Sequence, residues 1–226
     1  MLDKINVALD GPAGAGKSTV ARMVAHKLGY IYVDTGAMYR AVTWKALQSG
    51  LDITDESSVR DCVERMHLVL HPGETGQQVI VDGENITTFI RSSEVNQAVS
   101  QISQIPSVRQ RLVQMQKQMA ANKGVVMDGR DIGTSVLPDA EVKVFLTANP
   151  RVRAERRYAE LEQPEMTLEE LEEEIKRRDD IDRNREVSPL REAEDAYHLD
   201  SSEMSLQEVV DAVLELCMDR VGGGAE

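Results

Sequence analysis

Nine consecutive residues near the start of the chain have the types and spacing of a phosphate-binding loop. Residues 11–19 read GPAGAGKST, in which Gly11, Gly16, Lys17 and Ser18 match the pattern G-x-x-x-x-G-K-[ST]. Glycines let the backbone curl around phosphate oxygens, and a helix that follows adds its own unsatisfied N–H groups. A chance Gly-rich turn is the alternative, but an apolar run before the loop and a helical pattern after it favour a nucleoside triphosphate site.

Each position of this loop has an expected task. Lys17 can reach the β- and γ-phosphates, and the hydroxyl of Ser18 can ligate Mg²⁺. The residues expected to bind the triphosphate are Gly11, Pro12, Ala13, Gly14, Ala15, Gly16, Lys17, Ser18 and Thr19.

Two further polar segments follow apolar runs that read as strands. DTGAMYR begins at Asp34 and DGRDIGT begins at Asp128. Because ligands collect at the carboxyl ends of strands in an open parallel sheet, both segments should serve the same site. Arg130 can clamp a phosphate, Asp128 can assist Mg²⁺ binding, and Asp131 can accept a hydrogen bond from an exocyclic amine. Either aspartate could instead be a helix cap or a turn former.

The elements around these motifs alternate between strands and helices. KINVAL and YIYV read as buried strands, and the helical run between them ends at Gly29. A strand, loop, helix and strand within about thirty residues make a βαβ unit, which predicts a parallel sheet with helices on its faces. Later runs repeat the alternation: VVMDGRD, EVKVFL and AYHLD as strands, with helices between them.

The pattern changes between residues 51 and 92. HLVL and QVIV alternate apolar and polar residues on either side of a Pro/Gly turn cluster, and a DG turn follows them. We expect an inserted antiparallel subdomain at 41–92, between residues 1–40 and 93–226 of the parallel α/β core.

Composition narrows the class of function. The 226 residues carry a net charge of −13, which argues against binding to nucleic acid or to an anionic membrane, although arginines are concentrated in a few segments. Cys62 and Cys217 show no metal-ligand spacing and are expected to be free thiols, which favours a reducing, cytoplasmic setting. We see neither a signal peptide nor a membrane span. A monomer is expected, because the predicted site needs no second subunit.

Four segments together resemble the bacterial cytidylate kinase family of nucleoside monophosphate kinases. They are GPAGAGKST, VDTGAMYRA, MDGRDIGT and RRDDIDRNR, in this order and at these separations. The resemblance covers Ile5 to about Val213. It implies a five-stranded parallel kinase core with flanking helices at 1–40 and 93–226, and a short helical lid at about 150–166. It also implies that the antiparallel insertion at 41–92 is associated with monophosphate binding. The implied reaction is Mg-dependent transfer of the γ-phosphate of ATP to CMP or dCMP in pyrimidine nucleotide metabolism.

The resemblance also implies roles for individual residues. Asp131, Ser100 and Arg109 should meet the cytosine ring. Residues that should meet the acceptor nucleotide and its phosphate or sugar are Thr35, Gly36, Arg40, Arg130, Arg178, Asp182 and Arg185. The residues expected to act in the transfer step are Lys17, Arg130, Arg151 and Arg156, and those expected at the metal are Ser18 and Asp128. The lid should be the helix pair around Arg151, Arg153, Arg156 and Arg157.

Several alternatives remain open from the residues. The arginines of RVRAERRYAELE could belong to a solvated, salt-bridged helix face, as the i, i+4 spacing of Arg156 and Glu160 allows. Another small acceptor such as UMP, AMP or shikimate is possible, and so is a non-enzymatic nucleotide sensor. The absence of N-K-x-D counts against a GTPase.

Overall fold

The computed structural model of the chain describes residues 4–73, 76–160 and 166–222. Its strands are β1 (Asn6–Asp10), β2 (Ile31–Asp34), β3 (Leu68–Gly73), β4 (Gly76–Val81), β5 (Glu84–Asn85), β6 (Val125–Gly129), β7 (Val142–Thr147) and β8 (Tyr197–Asp200). Its helices are α1 (Lys17–Leu28), α2 (Thr35–Gln48), α3 (Glu56–Arg65), α4 (Ser93–Ile102), α5 (Pro106–Met119), α6 (Pro150–Ala159), α7 (Leu168–Asn184) and α8 (Leu206–Gly222).

A five-stranded sheet in the order β2-β6-β1-β7-β8 carries the functional motifs. β1 pairs in parallel with both β6 and β7, and β7 pairs in parallel with β8. All five residues of β1 are buried, as expected for a central strand covered on both faces. In the register, Asp10 lies opposite Gly129 on one side and Phe145 on the other. The prediction of a parallel sheet with flanking helices and a separate antiparallel sheet is confirmed.

The described residues divide into two compact units. The first contains residues up to Ile31 and those from Lys123 onward, and the second is Tyr32–Asn122. The expected inserted subdomain, 41–92, falls within the range of the second unit. Of the expected lid at 150–166, residues 161–165 lie outside the described part of the chain.

The first unit packs helices on the sheet and against one another. α1 begins after Gly16 and ends at Gly29, whose left-handed backbone allows its N–H to bond the carbonyl of His26. α6 and α7 pack through Ala154, Leu171 and Ile175. α7 starts with a capping box between Thr167 and Glu170.

The second unit contains the antiparallel sheet and α2 to α5. β3 and β4 form the predicted hairpin, with Leu68 opposite Val81, and Asp82 and Gly83 make the turn into β5 with positive φ at both. α2 starts at Thr35, where the carboxylate of Asp34 accepts from the N–H of Ala37 and caps the helix.

Two expectations concern membranes and thiols. Within the described ranges, no helix combines the length and the apolar character that crossing a bilayer requires. Both cysteines are free thiols, as predicted, with Cys217 buried and Cys62 half-buried.

Candidate active site

The phosphate-binding loop takes its shape from glycine backbones. Gly11, Gly14 and Gly16 all have positive φ, at 145°, 75° and 87°. A Cβ on Gly11 would stand 1.9 Å from the carbonyl oxygen of Leu146 in β7, so only glycine lets the loop leave the sheet here. Because α1 starts at Lys17, the first N–H groups of that helix lie at the end of the loop, where an anion can bind them.

The side chain of Lys17 supplies a positive charge to the phosphate-binding loop. The side chain is buried and its Nζ donates to the carbonyl of Pro12 at 2.7 Å. Burial, and then repulsion from Arg130, lower the pKa of Lys17 below its usual value. The carboxylates of Asp128 and Asp10 oppose this shift. An anion close to Lys17 would therefore stabilise its charged form.

Ser18 and Asp128 meet at the end of the loop. The Ser18 hydroxyl donates to Oδ2 of Asp128 at 2.8 Å, so a hydroxyl from the first turn of α1 meets a carboxylate from the end of β6. These hard oxygen ligands suit Mg²⁺. No group of three or more His, Cys, Asp or Glu side chains placed to hold a metal occurs among the residues that the structure describes. Substrate phosphates and water would have to complete the coordination.

Arg153 bonds the backbone of the phosphate-binding loop. Its guanidinium donates to the carbonyls of Ala13 and Ala148, both at 2.8 Å, and pairs with both carboxylate oxygens of Asp179 at 2.6 and 3.1 Å. The side chains of Arg153 and Asp179 are only 2% and 3% exposed. We expected Arg153 on the lid, and the structure instead places it in the interior as the link between the loop, α6 and α7.

Arg130 and Asp182 form the next charge pair. Nε of Arg130 donates to Oδ2 of Asp182 at 2.9 Å. Burial tends to raise the pKa of Asp182, but the charge and hydrogen bond of Arg130 outweigh it and hold the pKa below its usual value, with help from Arg178 and Arg185. These predicted acceptor residues therefore lie together in the first unit.

Asp131 is buried and faces Arg185. Nη2 of Arg185 lies 3.5 Å from Oδ1 of Asp131, and Nε of the same guanidinium donates to the carbonyl of Ser188. Asp131 leads into a π-type turn at Ile132–Val136, which the sequence analysis did not predict. This turn therefore carries the carboxylate expected to meet a nucleobase.

The remaining arginines of α6 have different surroundings. Arg151 is 41% exposed and contacts Glu155, Glu169 and Glu172. Arg156 donates to the hydroxyl and carbonyl of Ser201 at 3.0 and 2.6 Å.

The outer surface of α6 is therefore partly salt-bridged. Arg157, rather than Arg156, is the residue that pairs with Glu160. The contacts of Arg151 and Arg157 are those of the salt-bridged helix face considered above, whereas Arg156 ties α6 to the loop after β8.

In the second unit, Arg40 lies beside Gly36. Thr35 is buried at the start of α2, and a Cβ on Gly36 would stand 2.9 Å from Nη1 of Arg40. Nε of Arg40 lies 3.4 Å from Oδ1 of Asn96. Gly36 thus leaves room for the guanidinium one turn later on the same helix.

Arg109 and Ser100 are the predicted base ligands in this unit. Arg109 is buried, its Nη1 donates to the carbonyl of Ser103 at 3.1 Å, and its guanidinium carbon lies 5.4 Å from the ring centroid of Tyr39. The carbonyl of Ser100 accepts from the Ser103 hydroxyl at 2.9 Å. The three residues Ser100, Ser103 and Arg109 therefore form one polar group.

Comparison with known proteins decides the family. The model of the cytidylate kinase family matches residues 7–219. The chain belongs to this family.

Curated relatives agree over nearly the whole length. The cytidylate kinase of Geobacillus sp. (strain WCH70) is 50% identical over 224 residues, covering 98% of this chain and 100% of its own. That of Bacillus subtilis (strain 168) is 51% identical over 217 residues, covering 95% and 97%. The family assignment makes the chain a kinase with small-molecule nucleotide substrates.

One solved structure supports the fold alone. A gluconokinase from Sinorhizobium meliloti 1021 aligns with a TM-score of 0.52 at 15% identity, covering 99% of this chain and 97% of that one. At this identity the likeness shows a shared fold.

The sequence predicted no role for Asp10 or Asp179, and we expected Arg153 on the lid. All three are buried: Asp10 bonds the loop after Asp131, and Asp179 pairs with Arg153, which bonds the phosphate-binding loop. Asp10 stands directly before the phosphate-binding motif, so its position next to Gly11 was the available signal. Nothing in the local sequence links Arg153 to Asp179, which is 26 residues away.

Proposed function

We propose that the chain transfers the γ-phosphoryl group of ATP to CMP or dCMP and releases ADP and CDP or dCDP. The observation that carries the proposal is the near-complete alignment with cytidylate kinases at about half identical residues. An intact phosphate-binding loop and a separate set of acceptor arginines are consistent with a donor site and an acceptor site.

The donor phosphates are bound by the loop and by Lys17. The backbone N–H groups of residues 11–19 and the start of α1 supply hydrogen bonds, and Lys17 supplies positive charge. Ser18 and Asp128 are the residues that would hold Mg²⁺, which when bound neutralises charge on the β- and γ-phosphates. Arg153 keeps the Ala13 carbonyl turned toward the interior.

The acceptor phosphate and sugar are assigned to residues of the three motifs that begin at Asp34, at Asp128 and at Arg177. The residues proposed for them are Thr35, Gly36, Arg40, Arg130, Arg178, Asp182 and Arg185. Arg130 and Asp182 already form a pair at 2.9 Å, so a phosphate that takes the guanidinium would compete with that carboxylate. The same exchange would leave Asp182 able to accept from a sugar hydroxyl.

The base is assigned to Asp131, Ser100 and Arg109. Cytosine donates from its C4 amine and accepts at N3 and O2, so it complements a carboxylate and a pair of donors. Uracil has a carbonyl in place of the amine and would set an acceptor against the Asp131 carboxylate. A buried polar group that loses its partner is costly, so UMP is expected to be a poor substrate.

The transfer itself needs alignment and charge stabilisation more than covalent help. An in-line displacement brings two polyanions together, and cations reduce their repulsion as charge develops. Lys17, Arg130, Arg151 and Arg156 are proposed for this task. Closure of the lid around α6 would exclude water that could otherwise hydrolyse ATP.

The test is a panel of acceptors assayed with Mg-ATP. ADP release is measured with CMP, dCMP, UMP, AMP, GMP and shikimate, with Lys17→Met as the inactive control. Turnover with CMP and dCMP, with UMP far behind, supports the proposal. Preference for AMP, GMP or shikimate would contradict the acceptor assignment, and ATP binding without any turnover would favour a nucleotide sensor.

The setting of the enzyme is proposed on composition. A monomer acting in the cytoplasm, without nucleic-acid or membrane partners, is consistent with the charge of −13 and the two free thiols.

A further inference from the structure

Asp10 is a buried carboxylate to which the proposed mechanism gives no task. It ends β1 and directly precedes Gly11. Its Oδ1 accepts from the N–H of Ile132 at 2.8 Å and its Oδ2 accepts from the N–H of Gly133 at 2.7 Å. These two amides belong to the residues that immediately follow Asp131, so both oxygens of Asp10 hold the loop that carries the proposed base-reading carboxylate.

The carbonyl of Asp131 also takes part in closing this loop. The Asp131 carbonyl accepts from the N–H groups of Ser135 and Val136 at 2.9 and 3.2 Å, which closes the π-type turn. The backbone of Asp131 is therefore fixed through its own carbonyl and through the two amides after it.

The loop after Asp131 also packs against Lys143 of β7. A Cβ on Gly133 would stand 3.2 Å from Cδ of Lys143 and 3.4 Å from Oδ2 of Asp10, so Gly133 fills the gap between these two side chains. Lys143 is buried, and its Nζ contacts both carboxylate oxygens of Asp195 at 2.9 and 2.7 Å. Gly133 thus lies between Asp10 at the end of β1 and Lys143, whose charge is paired with Asp195.

Keeping Asp10 ionised in this position costs folding stability. Burial raises the pKa of Asp10 to about 6, although the two backbone hydrogen bonds and Lys17 oppose the shift and Asp131 adds to it. A buried carboxylate with a raised pKa that also bonds a binding loop is a candidate for a functional role.

We infer that Asp10 is a positioning residue that aims the Asp131 carboxylate and thereby sets the preference for cytosine over uracil. The inference rests on the proposed role of Asp131 at the base. Hydrogen bonds weaken steeply as their angle departs from linear, so a small rotation of the loop would cost the contact with the cytosine amine. Uracil makes no such contact and would lose less.

The first test is Asp10→Asn in the full-length chain. The amide keeps one acceptor oxygen but places an NH₂ group against one of the two loop N–H groups. We expect kcat/KM for CMP relative to UMP to fall by about tenfold, mainly through a higher KM for CMP, as for a misplaced specificity contact. The measurement is kcat and KM for both acceptors at saturating Mg-ATP, with the KM for ATP recorded in parallel.

A second variant and a matched control distinguish a displaced Asp131 carboxylate from general damage to the fold. Gly133→Ala presses on the same loop from the Lys143 side and should reduce the CMP-to-UMP preference in the same direction. Glu141→Gln makes the same carboxylate-to-amide change at the opposite end of β1, where Glu141 accepts from the N–H of Asn6 at 2.8 Å, and should leave the preference unchanged. Thermal unfolding of each variant reports damage to the fold.

The outcomes distinguish this inference from the proposed function. Equal losses with CMP and UMP in Asp10→Asn, or a change confined to the KM for ATP, would overturn the positioning role. A wild-type chain that does not prefer CMP over UMP would refute the role of Asp131 itself. A wild-type preference that decreases in Asp10→Asn and Gly133→Ala, but not in Glu141→Gln, supports the inference.

Discussion

The phosphate-binding loop and the acceptor set are built by different physical means. The loop, residues 11–19, depends on backbone shape, with glycines at positive φ and one close approach of Gly11 to Leu146. The acceptor set of the first unit, Arg130, Asp131, Asp182 and Arg185, depends on alternating charges at 2.9 and 3.5 Å. Changes in the loop should therefore affect all acceptors alike, whereas changes in the acceptor set should alter selectivity.

The largest expected effect tests the loop side of this comparison. Lys17→Met removes the buried cation nearest the expected β- and γ-phosphates, and we expect kcat to fall by about 10³, as when one electrostatic contact to a transition state is lost. The fall should be equal for CMP and dCMP in steady-state assays. A fall restricted to one acceptor would show that Lys17 belongs to the acceptor side.

Loss of the support beneath the loop should reduce stability. Asp179→Asn removes the charge that neutralises buried Arg153, and breaking such a pair should lower the free energy of unfolding by about 3 kcal/mol in urea titrations. The KM for ATP should rise, because the same guanidinium holds the Ala13 carbonyl. An unchanged KM for ATP would contradict the claim that the Arg153–Asp179 ion pair positions the phosphate-binding loop.

Asp10 links the two regions and predicts a pH effect. Its folded pKa of about 6 lies above its ordinary value of 3.8, so the protonated form is favoured in the folded state. Its contribution to stability is present below about pH 4 and is lost as the pH rises through 6, by about 3 kcal/mol from the shift in pKa. Urea titrations from pH 4 to 7.5 should show this loss in the wild type relative to Asp10→Asn. If the free energies of unfolding of the wild type and of Asp10→Asn changed equally with pH, the predicted loss would be contradicted.

The smallest expected effect concerns the outer face of α6. Arg151→Gln should lower kcat by about tenfold if Arg151 reaches the transferring group, with little change in the free energy of unfolding because its ion pairs are exposed. Lys27→Gln is the control, since Lys27 is similarly exposed and pairs with Asp211. Equal activity of both variants would assign Arg151 to the salt-bridged helix face.

The comparison also explains what could be predicted from the sequence. The loop could be identified because its glycines, Lys17 and Ser18 are contiguous, and the strands and helices around it follow apolar periodicity. The hairpin of β3 and β4 was predictable from alternation and turn residues.

Other features could not be read in this way. The pairing of Arg130 with Asp182 joins residues 52 apart, and it depends on how α7 packs. Burial of Arg153 two residues from exposed Arg151 is a property of the helix face, since charged residues in one helix look alike in sequence. The π-type turn at Ile132–Val136 has no periodic signal, because one glycine and small or β-branched residues fill it.

The measurement that tests the central claim most directly is kcat/KM for CMP and UMP in the wild type and in Asp131→Asn. We predict that the wild type prefers CMP by about 100-fold and that the variant loses most of this preference, because an amide can donate to the uracil carbonyl as well as accept from the cytosine amine. A preference for CMP that survives the substitution would contradict the claim that Asp131 reads the base.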